Sequence, residues 1–152
     1  MADDLEVTMM GERTTLQRVR GGRAAVVDFW TTGCHRCPAA LRKLNDMAAS
    51  LGDVCVLSIC LDEANADIAV EMVKDLKCLG HAFASLEVKE QAKARWDFKF
   101  VPHIVVINAD GGTALSKSAV GLAPESIRQA LQEPDDKENQ SQQPAFSLDE
   151  DF

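Results

Sequence analysis

The sequence predicts an α/β fold, a mixed central β-sheet flanked by helices on both faces. Three observations carry that prediction. Two continuous apolar runs, 24–30 and 54–61, have the length of strands buried on both sides. Each is followed by apolar residues at helical spacing. Late in the chain a strong turn signal, Asn108-Ala109-Asp110-Gly111-Gly112, separates two further β-prone runs. Strand–helix alternation gives parallel pairing through crossovers, and the late hairpin adds antiparallel strands.

Taken in order, Ala24 to Trp30 is a buried strand interrupted only by Asp28. Cys37, Leu41, Leu44, Ala48 and Leu51 then repeat at helical spacing, with Arg42, Lys43, Asn45 and Asp46 opposite. Pro38 falls in the first turn of this helix, where its missing N–H has no partner to lose. Val54 to Leu61 is the second strand, and Ile68, Met72, Val73 and Leu76 mark a second amphipathic helix. His81 to Leu86 reads as a short strand and Lys89 to Trp96 as a third helix. Ile104 to Ile107 and Thr113 to Val120 are the arms of the hairpin, and Pro124 opens a last helix through Ile127, Ala130 and Leu131.

The most informative residues are Cys34 and Cys37, at C-x-x-C spacing where the first strand hands over to its helix. A helix N-terminus carries partial positive charge and favours thiolate over thiol. Thiols so placed have their pKa lowered from about 8.5 to roughly 3.5–7.5. The chemistry this points to is thiol–disulfide exchange, with the more exposed Cys34 attacking and Cys37 resolving the mixed disulfide. Zinc is disfavoured: it wants four ligands, and neither Cys55, Cys60 and Cys78 nor His35, His81 and His103 supply a second pair at ligand spacing. A purely structural bridge is disfavoured too, since a three-residue step closes almost no loop. Asp28 sits inside a buried strand, where an isolated carboxylate is costly and its pKa rises.

Composition narrows the class further. The chain has 152 residues, 46% of them apolar, which fits one globular domain, and no apolar run approaches the length of a membrane span. The start, Met1-Ala2-Asp3-Asp4-Leu5-Glu6, is acidic and does not read as a secretory signal. Five cysteines, an odd number, argue against a fully paired extracellular framework, so a reducing, cytoplasmic compartment is expected. The net charge of −8 is concentrated at the end: 133–152 carries seven acids and one lysine, while the other 132 residues hold seventeen acids and fifteen bases. The body therefore offers no nucleic-acid patch. We divide the chain into an N-terminal extension (1–12), a folded domain (13–132) and an acidic tail (133–152) whose composition predicts disorder. In that tail, Ala145-Phe146-Ser147-Leu148-Asp149-Glu150-Asp151-Phe152 interleaves bulky apolar residues with acids, a pattern suited either to solubilising the chain or to docking a protein partner.

Asp28-Phe29-Trp30, the Cys34–Cys37 pair on a strand-to-helix turn, Val101-Pro102 before a hairpin and Gly121 after its second strand together resemble the thioredoxin superfamily over residues 13–132. About 40 residues separate Asp62 from Pro102, similar to the longer insertion of the tryparedoxin, nucleoredoxin and TlpA-type branch. The resemblance implies a thioredoxin-like fold, a cis peptide before Pro102 packed against the C-x-x-C, and a Val101 backbone that receives substrate. It further implies that Asp28 relays the proton of Cys37, making Cys34, Cys37 and Asp28 the catalytic set, and that Trp30 packs beside the disulfide. Substrate contacts then fall to Trp30, His35, Arg36, Val101, Pro102 and His103. Two departures stand out. Gly33 replaces the tryptophan usual before the first cysteine, and His35-Arg36 replaces Gly-Pro or Pro-Pro between the two. Two potential cations beside Cys34 stabilise its thiolate, so a disulfide more oxidising than a typical thioredoxin's is expected.

Of the remaining thiols, Cys55 and Cys60 are five positions apart in one strand and point to opposite faces as small core residues, while Cys78 lies in a Lys77-Cys78-Leu79-Gly80 turn. The expected activity is that of a dithiol–disulfide oxidoreductase acting on disulfide-containing proteins or small thiols. It needs no cofactor or metal and takes electrons from a reductase or small dithiol. The alternative is an interaction module of the same fold that docks partners through its tail or insertion, with little redox turnover.

Overall fold

The computed structural model describes residues 4–132. Glu6–Met9 (β1) and Glu12–Thr15 (β2) form a hairpin, followed by the short helix Leu16–Arg20 (α1). Ala25–Trp30 (β3), Cys37–Ala48 (α2), Cys55–Cys60 (β4), Ala66–Val73 (α3) and Gly80–Phe83 (β5) alternate through the first half. Leu86–Trp96 (α4), His103–Ile107 (β6), Thr113–Ser118 (β7) and Pro124–Gln132 (α5) complete the domain. The described strands form one sheet in the order β2-β1-β5-β4-β3-β6-β7. β3, β4 and β5 are parallel; β6 runs antiparallel to β3, β7 to β6, and β1 to β5.

Because β3 and β4 are central, every residue in them is buried and successive side chains enter opposite layers. Val27 and Phe29 face the layer of α1 and α4, with Leu16, Val88, Ala92 and Trp96. Val26 and Trp30 face the layer of α2, α3 and α5, with Leu41, Leu44, Ala69, Val73 and Ile127. Cys55 joins the first layer and Cys60 the second, so these free cysteines do point apart.

The structure differs from the sequence reading at three places. The β1–β2 hairpin is part of the sheet, so the boundary drawn between 12 and 13 runs through β2. Its turn places Met10 (φ 52°) and Gly11 (φ 81°) both left-handed, which suits a two-residue hairpin. On α3 the core stripe is Ala69 and Val73; Ile68 (55% exposed) and Met72 (37%) face outward, and Leu76 lies beyond the helix end. α4 begins at Leu86, three residues earlier than expected, because the Ser85 hydroxyl accepts the Val88 N–H at 3.2 Å and caps it. That cap also ends β5 at Phe83 rather than extending it to Leu86. The tail reading concerns 133–152 and lies outside the described residues.

Candidate active site

Cys34 and Cys37 are joined as a disulfide, with Cα atoms 5.4 Å apart. β3 ends at Trp30, whose carbonyl accepts the Leu61 N–H at 2.8 Å. The chain then turns, and the Thr31 carbonyl accepts the Cys34 N–H at 3.3 Å. Cys37 is the first residue of α2 and fully buried, whereas Cys34 in the turn before it is half-buried. The first turn of α2 holds no acidic residue and no side chain caps it, so its N–H groups remain free to favour a sulfur anion.

The Val101–Pro102 peptide is cis, and the Val101 carbonyl oxygen lies 3.6 Å from Cys34 Sγ. Pro102 is buried and its carbonyl accepts the Ala119 N–H at 2.9 Å, which ties the segment after β7 to this loop. Residues far apart in sequence thus border one sulfur.

Asp28 lies between Val26 and Trp30 on β3, on the face shared with Cys37. It is 0% exposed and neither carboxylate oxygen has a hydrogen-bond partner among the described residues. Burial holds its pKa well above the usual carboxylate range, so it keeps a proton where an exposed aspartate has lost it. Trp30, assigned to substrate contact from the sequence, is 1% exposed and lies within the core layer that also holds Cys37. His35 and Arg36 are exposed beside the pair.

His103 is not brought to the site. Its side chain enters the opposite layer, 7% exposed, stacked on Phe98 with ring centroids 4.3 Å apart. The Ser116 hydroxyl donates to the Trp96 carbonyl at 3.3 Å and accepts from His103 Nε2 at 2.8 Å. Burial lowers its pKa, so the ring is a neutral core residue. The parity of β6 makes this inevitable: a side chain immediately after Pro102 on that strand points away from Ile104 and hence from α2.

One residue near the pair escaped the sequence reading. Asp62, just beyond β4, accepts the Thr32 N–H at 3.2 Å, the Thr32 hydroxyl, the Cys60 thiol at 2.8 Å and the Asn65 amide at 3.2 Å. Burial alone would raise its pKa, but the bonds from Cys60, Thr32 and Asn65 outweigh it and hold the carboxyl below the usual range. Burial first, and the neighbouring carboxylate second, push the Cys60 thiol up to about 12, so this cysteine is a donor rather than a nucleophile. Asp62 thereby anchors the turn two residues before Cys34. The signal was present only as an Asp two positions after a strand cysteine, which without the sheet pairing of Trp30 with Cys60 points nowhere.

The fold that brings together this sulfur pair, the cis-proline loop and the buried carboxyl is shared with solved structures. The chain has the thioredoxin fold. The thioredoxin domain of a thiol-disulfide oxidoreductase from Bacteroides vulgatus superposes with a TM-score of 0.68 at 16% identity, covering 84% of this chain and 90% of that one. A secreted disulfide oxidoreductase from Mycobacterium tuberculosis gives 0.64 at 20% identity, covering 82% and 92%. StoA from Bacillus subtilis gives 0.61 at 15%, covering 86% and 97%. No protein-family model and no curated protein sequence matches the chain. Within the thioredoxin fold, the described residues hold no cluster of three or more His, Cys, Asp or Glu able to bind a metal ion, and no helix long and apolar enough to cross a membrane.

Proposed function

We propose that the protein is a thiol-disulfide oxidoreductase whose working group is the Cys34–Cys37 dithiol. The observation that carries this reading is the asymmetry of the pair: a half-exposed sulfur beside the Val101 carbonyl, and a buried one on the face of Asp28. In the reduced chain the Cys34 thiolate attacks a substrate disulfide, forming a mixed disulfide and releasing one substrate thiolate. Asp28, once it has lost its own proton to solvent, takes the proton of Cys37, and the Cys37 thiolate then attacks Cys34 Sγ. The second substrate thiol leaves, and two electrons have passed from dithiol to substrate. A reductase or small dithiol restores the reduced pair; the chemistry requires no cofactor within the chain. The Val101 backbone and the exposed His35 and Arg36 are the surfaces a substrate chain meets first. Cys55, Cys60 and Cys78 are free thiols, which supports a reducing, cytoplasm-like setting for the protein.

Turnover of insulin disulfides by a dithiol reductant tests the reading. The protein accelerates the reaction and Cys34→Ser abolishes the acceleration. A rate equal to that of reductant alone would sink the enzymatic reading and leave a binding module of the same fold.

A further inference from the structure

Arg36, Ala39, Ala40 and Lys43 stand at i, i+3, i+4 and i+7 along α2 and form one stripe. The stripe faces Ala119, Val120 and Gly121, and the two sides enclose a groove of about 380 Å³ that also takes in His35. Its lining takes in His35, next to Cys34 in the chain, and Ala119, whose N–H bonds the Pro102 carbonyl. Val101, beside Pro102, borders Cys34, so the groove runs alongside the disulfide turn. Its floor is small and apolar, with Val120 44% exposed. Its rim carries Arg36 and Lys43, and no lining residue is a carboxylate. Neither cation has an ion pair among the described residues. The nearest acid along α2, Asp46, lies a turn beyond Lys43 and is also unpaired among them.

Granting the proposed redox reading, we infer that this groove selects polypeptide disulfides whose half-cystine is flanked by acidic residues, with Arg36 and Lys43 as the selecting side chains. The alanine floor lets a substrate backbone lie close to α2. A carboxylate one or two residues from the attacked sulfur then comes within a Debye length of both cations, about 10 Å at 0.1 M salt. Rim charges of this kind act on encounter and register more than on residence. An apolar floor with two cations suits a peptide better than a polyphosphate, which needs a denser basic surface. The chemistry at sulfur is unchanged: the dithiol supplies two electrons and the substrate disulfide receives them.

The test uses the full chain and three peptides closed by the same disulfide, flanked by Glu, Gln or Lys, with dithiothreitol as reductant. We expect kcat/KM to fall in the order Glu, Gln, Lys, spanning about tenfold at low salt and collapsing at about 0.5 M salt. The Glu-to-Lys ratio falls with Arg36→Glu and with Lys43→Glu singly and inverts in the chain carrying both, while Arg42→Glu, the same charge change as either single variant but on the outer face of α2, leaves it in place. Reading a ratio within each variant cancels any general loss of folding or rate. Equal rates for the three peptides, or an equal shift from Arg42→Glu, would overturn the assignment and leave the oxidoreductase intact. No turnover of any peptide would remove both. Protection of Cys34 from alkylation at low salt without peptide, lost on adding salt, would give the groove to the chain's own acidic stretch, residues 145–152, and overturn the substrate assignment.

Discussion

A Cys37→Ser chain is expected to stop with its substrate attached. Cys34 is half-buried next to the Val101 carbonyl, so it still meets a disulfide and forms the mixed species. What is lost is the internal nucleophile. Intramolecular groups held in reacting geometry work at effective concentrations of about 10⁵ M or more, against millimolar external thiol. That ratio, about 10⁸, is the ceiling for ideal geometry, and release is expected to slow by at least about a thousandfold. Mass spectrometry of the variant after one substrate addition should show the covalent complex, which a following Cys34→Ser change removes. Failure to trap, with Cys34 instead bearing no adduct, would mean that Cys34 is not the attacking sulfur.

Asp28→Asn is expected to have two separable effects. The first is kinetic: formation of the mixed disulfide stays as it was, and at pH values where the folded carboxyl is ionised its resolution by Cys37 slows about a hundredfold, the usual worth of a positioned general base. The second is a gain in stability that depends on pH. An unfolded aspartate ionises near pH 4, whereas burial keeps the folded carboxyl protonated to much higher pH. Between those two pKa values the folded state binds the extra proton, so wild-type stability falls as pH rises, by about 1.4 kcal/mol per pH unit. Asparagine cannot ionise in either state. The melting temperatures of the two proteins should meet near pH 4 and diverge toward neutrality, with the variant higher. Parallel melting curves across that range would show that the carboxyl is satisfied, and equal resolution rates would remove Asp28 from the chemistry.

Much of this site was legible because its residues are forced by local rules. Asp28 is conspicuous in an otherwise apolar run whose length suits a central strand. The cysteines stand where the pattern changes period from strand to helix, and Val101-Pro102 sits at the head of a hairpin whose turn residues are unmistakable. What escaped was set by pairing between distant segments. Glu6–Thr15 carries few apolar residues and turns at Met10-Gly11, not at Asn-Gly, so only its pairing with Phe83 reveals an edge hairpin. Asp62 gains its place from the alignment of Trp30 with Cys60 across the parallel strands. His103 was adjacent to the cis-proline in sequence but on the wrong side of the sheet, and Trp30 was in the right layer but too deep to be touched. On α3, bulky Ile68 and Met72 outweighed Ala69 in the periodicity, although the small residue is the one that lets the helix lie close to the sheet.

The most direct measurement is a redox titration of the pair. The protein is equilibrated in thiol–disulfide buffers of graded potential, its free thiols are alkylated, and the adducts at Cys34 and Cys37 are counted by mass spectrometry. We predict that the two sites change together as a single two-electron couple, with a midpoint less negative than the about −270 mV of thioredoxin. That direction follows from an α2 N-terminus free of acids and from His35 and Arg36 beside the attacking sulfur. A pair that stays oxidised, or reduced, across the whole accessible range would contradict the claim that Cys34 and Cys37 exchange electrons with other disulfides.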